Sequence, residues 1–130
     1  SLNLSRQRLA NRYIEKLVPL KQVEVQTVPA GYRNSWQMFT VLVPLQIRND
    51  LLNHLRAQGV GASVHFDPPV HLQPPYREIK RGSELKITEQ VASSILSLPI
   101  FPDMSIEEVD SVVNAIQLFF EKTNKHYSLS

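Results

Sequence analysis

At 130 residues and 42% hydrophobic content, the chain suits one globular domain or one piece of a larger protein. Its net charge of +2 comes from scattered basic residues, which gives no reason to expect nucleic acid as a partner. It has no cysteine, which excludes disulfides and thiolate metal sites, and no apolar run near the ~18 residues of a membrane span.

The opening SLNLSRQRLANRY is polar and amphipathic, unlike a signal peptide, and it lacks an initiator methionine. It is read as a piece cut from a longer cytoplasmic protein, with Ser1 as a cloning scar. Residues 4–18 predict a helix: Leu9, Tyr13 and Leu17 recur on one face, with Ile14 and Leu4 nearby, and Pro19 stops it. Residues 23–28 alternate apolar and polar and predict a short strand. Pro29, Gly31 and Asn34 mark a loop. Residues 36–43, WQMFTVLV, predict a buried strand ended by Pro44.

Residues 46–58 predict a helix with Ile47, Leu51, Leu52 and Leu55 in one stripe and Gly59 as terminator. Residues 60–66, VGASVHF, predict another strand, with Ala62, Val64 and Phe66 on one face and Ser63 and His65 on the other. A proline-rich loop then runs from Asp67 to about Ser83. Thr88 is the expected N-cap of a third helix whose Val91, Ile95 and Leu96 face inward. SLPIF at 97–101 predicts a short terminal strand. Ser105 and Glu108 form a capping box for the last helix. Its stripe is Ile106, Val109, Val112, Val113, Ile116, Phe119 and Phe120. The tail after Lys122 is polar, and fraying is expected there.

This order predicts an α+β fold: a small mixed sheet of about three strands flanked by about four helices. The unit at 36–66 should be a right-handed crossover with parallel strands, and the third strand should run antiparallel, between them. So much apolar helix surface on so small a sheet implies that a neighbour covers part of it.

The chemistry-bearing residues concentrate at 64–76, VHFDPPVHLQPPY. Each proline fixes φ and holds the segment stiff, which suits a site better than a linker. His65 and His71 are open to three readings: metal ligands with Asp67, structural hydrogen-bonders, or substrate contacts. The spacing fits no helical metal motif and no fourth ligand is evident. Tyr76 and Gln73 are further polar candidates; for Arg77 and the neighbouring Lys80 and Arg81, a solvated loop is expected. Ser35 and Trp36 precede the first strong strand, and Trp36 reads first as core. There is no Gly-x-Ser-x-Gly elbow, no glycine-rich phosphate loop and no lysine in a site-like context.

The runs GVGASVHFDPPVHLQPPY and TEQVASSILSLPIFPDMSIEEVDSVVNAI, with LANRYIEKL and SWQMFTVLVP, resemble the C-terminal domain of the DegT/DnrJ/StrS family of PLP-dependent sugar aminotransferases. The resemblance implies the small domain of a fold-type I PLP enzyme. In such an enzyme a larger N-terminal domain, absent here, carries the Schiff-base lysine and the aspartate for the pyridine nitrogen. It implies that PLP belongs to the parent, that this fragment binds none and is inert alone, and that the parent is a homodimer in amino-sugar or surface-polysaccharide synthesis. It places His71 first and His65 second against the nucleotide-sugar substrate, with Ser35 and Trp36 near the cleft. Lys86 departs from the family's usual proline. Two other readings stay open: a related PLP-dependent sugar dehydratase, and a stand-alone ligand-binding or regulatory module.

Overall fold

The computed structural model describes residues 1–79 and 83–127, and for residues 125–127 the backbone alone. The order is α1 (Leu2–Leu17), β1 (Glu24–Val25), β2 (Phe39–Leu42), α2 (Leu45–Ala57), a 3-10 turn (Val70–Leu72), α3 (Lys86–Ser94), β3 (Ile95–Leu98) and α4 (Ile106–Tyr127). The α+β class stands. The sheet, however, is wholly antiparallel in the order β1-β2-β3, not mixed.

The strand expected at 60–66 is reduced to one bridge, Ser63 to Ser97. The reason lies in the partner strand. Ser63 and Ser97 exchange both backbone bonds, so the next ladder bonds would fall at Gly61 with Pro99 and His65 with Ile95. Pro99 has no N–H and its carbonyl accepts from Tyr13, while the Ile95 N–H is spent on the Val91 carbonyl and its own carbonyl accepts from Arg48. Because β3 is antiparallel both to β2 and to this bridge, segment 63 runs in the β2 direction with β3 between them. The parallel direction and the intervening strand therefore hold, while the second full strand does not. β1 also shrinks from the expected 23–28 to Glu24–Val25.

Directly paired residues share a sheet face. Phe39 opposite Leu98, and Val41 opposite Leu96 and Val25, face the core. There they meet Leu9, Tyr13 and Leu17 of α1, Leu51 and Leu55 of α2, and Val109, Val113 and Ile116 of α4. Full burial of such side chains contributes about 1.5–3 kcal/mol each. Tyr13 stacks on Phe39 and donates its hydroxyl to the Pro99 carbonyl at 2.8 Å. Burial, with the nearby charge of Glu108, pushes that phenol up, so it stays a neutral donor. The opposite sheet face carries Glu24, Thr40, Leu42, Ile95 and Ser97.

The capping box of α4 forms as its spacing requires. Ser105 N–H donates to Glu108 Oε2 at 2.7 Å, and Glu108 N–H donates to Ser105 Oγ at 3.1 Å. Gly59 ends α2 at φ 79°, where a side chain would be strained. Three helix ends differ from expectation. Ile95 and Leu96, expected on the third helix, instead open β3 after α3 ends at Ser94. Thr88 is no cap: α3 starts at Lys86 behind Leu85, which has no side-chain oxygen to offer. Helix α4 continues past Lys122 to Tyr127, while residues 128–130 lie outside the described part. No helix among the described residues is long and apolar enough to cross a membrane. Several large apolar side chains face solvent, including Ile87 at 79% exposure, Tyr32, Leu4 and Phe66.

Candidate functional site

The proline loop lies against β3 and α3. His65 Nδ1 lies 3.1 Å from Ser97 Oγ and 3.4 Å from Ser63 Oγ, and its ring meets Phe66 edge-on. Two hydroxyls thus meet one nitrogen beside Ser97, on the sheet face opposite the core helices α1, α2 and α4. The His65–Phe66 and Asp67–Pro68 peptide bonds are cis. His71, in the 3-10 turn, donates from Nε2 to Glu89 Oε1 of α3 at 2.9 Å. A carboxylate only accepts, so this bond places a proton on Nε2.

Val70 and Leu72, which flank His71, are both exposed. Pro69 is the buried member of this stretch instead. The loop's firmest tie is one that sequence reasoning missed. Arg48, 6% exposed, reaches Asp67 Oδ2 at 2.6 Å. A signal was available: Arg48 precedes Leu51, Leu52 and Leu55 by three, four and seven residues, which puts it on the apolar stripe of α2. An arginine there must find carbonyls and a carboxylate.

Helix α3 joins the loop to the open sheet face. Its Glu89 holds His71, and its Val91 lines a depression of about 200 Å³ with Thr40, Leu42 and Ile95. An adjoining cleft of about 330 Å³ continues past Leu42 and Val91 towards Lys21 and Gln90. The other loop candidates contribute less. Tyr76 is exposed, Gln73 donates its amide to the Pro68 carbonyl, and Arg77 lies exposed beside Glu78 at 3.7 Å. Lys80 and Arg81 lie outside the described residues.

Ser35 and Trp36 sit elsewhere. Ser35 is exposed at the edge of a cleft of about 680 Å³ shared with Gln7 and Arg33 near the start of α1. Trp36 is 1% exposed and belongs to the core, as its first reading had it. Its indole donates to Gln7 Oε1 and its ring packs on Phe39. Its φ of 51° is uncommon for a side-chain-bearing residue, and Asn34 Oδ1 supports the turn by accepting from its N–H. Among the described residues, no group of three His, Asp or Glu side chains could hold a metal ion.

The DegT/DnrJ/EryC1/StrS aminotransferase family model matches residues 1–117. The chain belongs to this family. Its fold recurs in DesV of S. venezuelae, solved in complex with a ketimine intermediate, at 31% identity and a TM-score of 0.84; the match covers 92% of this chain and 32% of that one. NtdA of Bacillus subtilis, solved with bound cofactor PMP, is 29% identical with a TM-score of 0.77, covering 88% and 27%. DesI, solved in the presence of its TDP-sugar product, is 25% identical with a TM-score of 0.82, covering 97% and 34%. The chain thus spans about a third or less of these family structures.

The resemblance implies pyridoxal phosphate, but the described residues do not fit it. An imine-forming lysine needs a sheltered, desolvated amine. Lys86 is 82% exposed and paired with Glu84, Lys21 and Lys122 are also exposed, and the half-buried Lys16 of α1 lies near the Asp110 carboxylate, away from the loop. No glycine-rich turn offers a run of N–H groups to a phosphate.

Proposed function

We propose that this chain is the C-terminal small domain, residues 1–130, of a PLP-dependent nucleotide-sugar aminotransferase acting in amino-sugar or surface-polysaccharide synthesis. It forms part of the substrate cleft and is inert alone. The observation that carries this reading is an unfinished cleft: His65 held at Ser97 on an open sheet face, His71 held against α3, an apolar depression where α3 meets that face, and no described lysine in a sheltered, unpaired setting. His71 is the first substrate contact and His65 the second, with Tyr76 at the loop's outer edge. Ser35 borders the neighbouring cleft, and Trp36 acts only by shaping the wall behind it. PLP, its lysine and its aspartate belong to an N-terminal domain that covers the open face, and the whole enzyme is a cytoplasmic homodimer. The TDP-sugar product seen with DesI and the PMP seen in NtdA support the substrate and cofactor classes.

The test uses the full-length protein and the isolated chain side by side. Full-length protein with PLP, glutamate and a nucleotide keto-sugar should yield the amino sugar, detected by mass spectrometry. The isolated chain mixed with PLP should show no saturable, dialysis-resistant lysine adduct. Transamination by the isolated chain, or a full-length protein that binds PLP but aminates no nucleotide sugar, would overturn the proposal.

A further inference from the structure

We propose that Arg48 is a positioning residue which, through Asp67, sets the geometry of the His/Pro loop; its kinetic consequence rests on the proposed role of His71. All three guanidinium nitrogens are engaged. Nε donates to Asn49 Oδ1 at 2.8 Å, and Nη1 donates to the carbonyls of Ala92 at 3.0 Å and Ile95 at 3.3 Å. Nη2 donates to Asp67 Oδ2 at 2.6 Å. The guanidinium is a rigid planar fork, so fixing two nitrogens fixes the direction of the third. The carbonyls that orient it belong to the last turn of α3 and the first residue of β3. Arg48 thus converts the α3–β3 junction into an anchor for Asp67.

Asp67 directly precedes Pro68 and Pro69, whose rings fix φ. A displacement at Asp67 is therefore passed along a stiff segment to His71 rather than absorbed by it. His71 is held in turn by Glu89, nearer the start of α3. The loop is clamped at two points, to Arg48 of α2 near its root and to Glu89 of α3 further along. A lysine cannot replace it, because a single ammonium cannot orient one donor by anchoring the others.

The experiment uses the full-length protein with Arg48→Met, Arg48→Lys and Asp67→Ala. Asp67→Ala leaves Arg48 its carbonyl partners, so the fold is kept even where Arg48→Met fails to fold. Hydrogen exchange by mass spectrometry reads the peptides covering 68–79, where Leu72, Gln73, Tyr76 and Arg77 donate to carbonyls within the loop. Exchange there should rise about tenfold or more, as for loss of a charge-assisted hydrogen bond. Peptides from α4 should be unchanged. Arg48→Lys should not rescue the loop, and KM for the nucleotide sugar should rise more than kcat falls. Wild-type exchange at 68–79 in Asp67→Ala, or full rescue by Arg48→Lys, would overturn the inference. A loosened loop with unchanged kinetics would uphold the clamp and refute the substrate role of His71 instead.

Discussion

Replacing His71 with alanine, beside Glu89→Ala, separates a substrate contact from a loop fastener. Both variants remove the same bond between Nε2 and Oε1. The His71 side chain is 12% exposed and Glu89 42%, so the pair sits partly in water. After discounting for that screening, its contribution to stability is about 0.5–1 kcal/mol. Both variants should therefore melt slightly below the parent and close to each other. Kinetics should divide them. A lost hydrogen bond to a charged substrate group is worth roughly 1.5–3 kcal/mol, or about tenfold to more than a hundredfold in rate or affinity. Only His71→Ala carries that loss. The assay is steady-state turnover of the full-length enzyme with its nucleotide sugar, together with thermal melts. Equal kinetic losses in the two variants would refute the reasoning and leave His71 as a fastener of the loop.

Three further outcomes are expected. Tyr13→Phe removes the hydroxyl donated to Pro99 and should cost about 0.5–1.5 kcal/mol, or up to about 3 where that carbonyl stays dry, measured by urea unfolding. Ser105→Ala opens the capping box of α4 and should cost about 1 kcal/mol in the same assay, with catalysis unaffected. The Arg12 guanidinium, bonded to both carboxylate oxygens, holds Asp110 below the usual carboxylate range. A depressed folded-state value stabilises the protein above the unfolded pKa of about 3.9, and that stability is lost as pH falls through the lower folded value. Asp110→Asn should therefore be less stable than the parent near neutrality, and the gap should close in acid; a gap independent of pH would refute the assignment.

How much was legible depends on whether an element is specified locally. Helix α4 carries its own start signal, Ser105 with Glu108, and one unbroken stripe, and both are realised. Gly59 likewise marked the end of α2. The 60–66 segment misled because alternation reports which side chains could share a face, not whether the backbone is free to pair. The partner groups it needed were already taken: the Ile95 N–H by Val91, the Ile95 carbonyl by Arg48 and the Pro99 carbonyl by Tyr13. At the site, the loop and its histidines were visible from proline and histidine spacing. Their partners were not: Glu89 lies 18 residues from His71, Ser97 lies 32 from His65, and Arg48 lies 19 from Asp67. Such pairings belong to the tertiary fold, and no local pattern announces them.

The packing of α1 on α4 has a consequence for how the chain is made. Arg12 meets Asp110 across 98 residues, and Tyr13 meets Pro99 across 86. At about 5–20 residues per second, ribosomal synthesis leaves α1 waiting roughly 5–20 s for its partners. During that interval Leu9, Tyr13 and Leu17 have neither α4 nor the end of β3 to cover them. Docking of the first helix must then be among the last steps of folding, and the nascent chain is a natural client for a chaperone until α4 emerges.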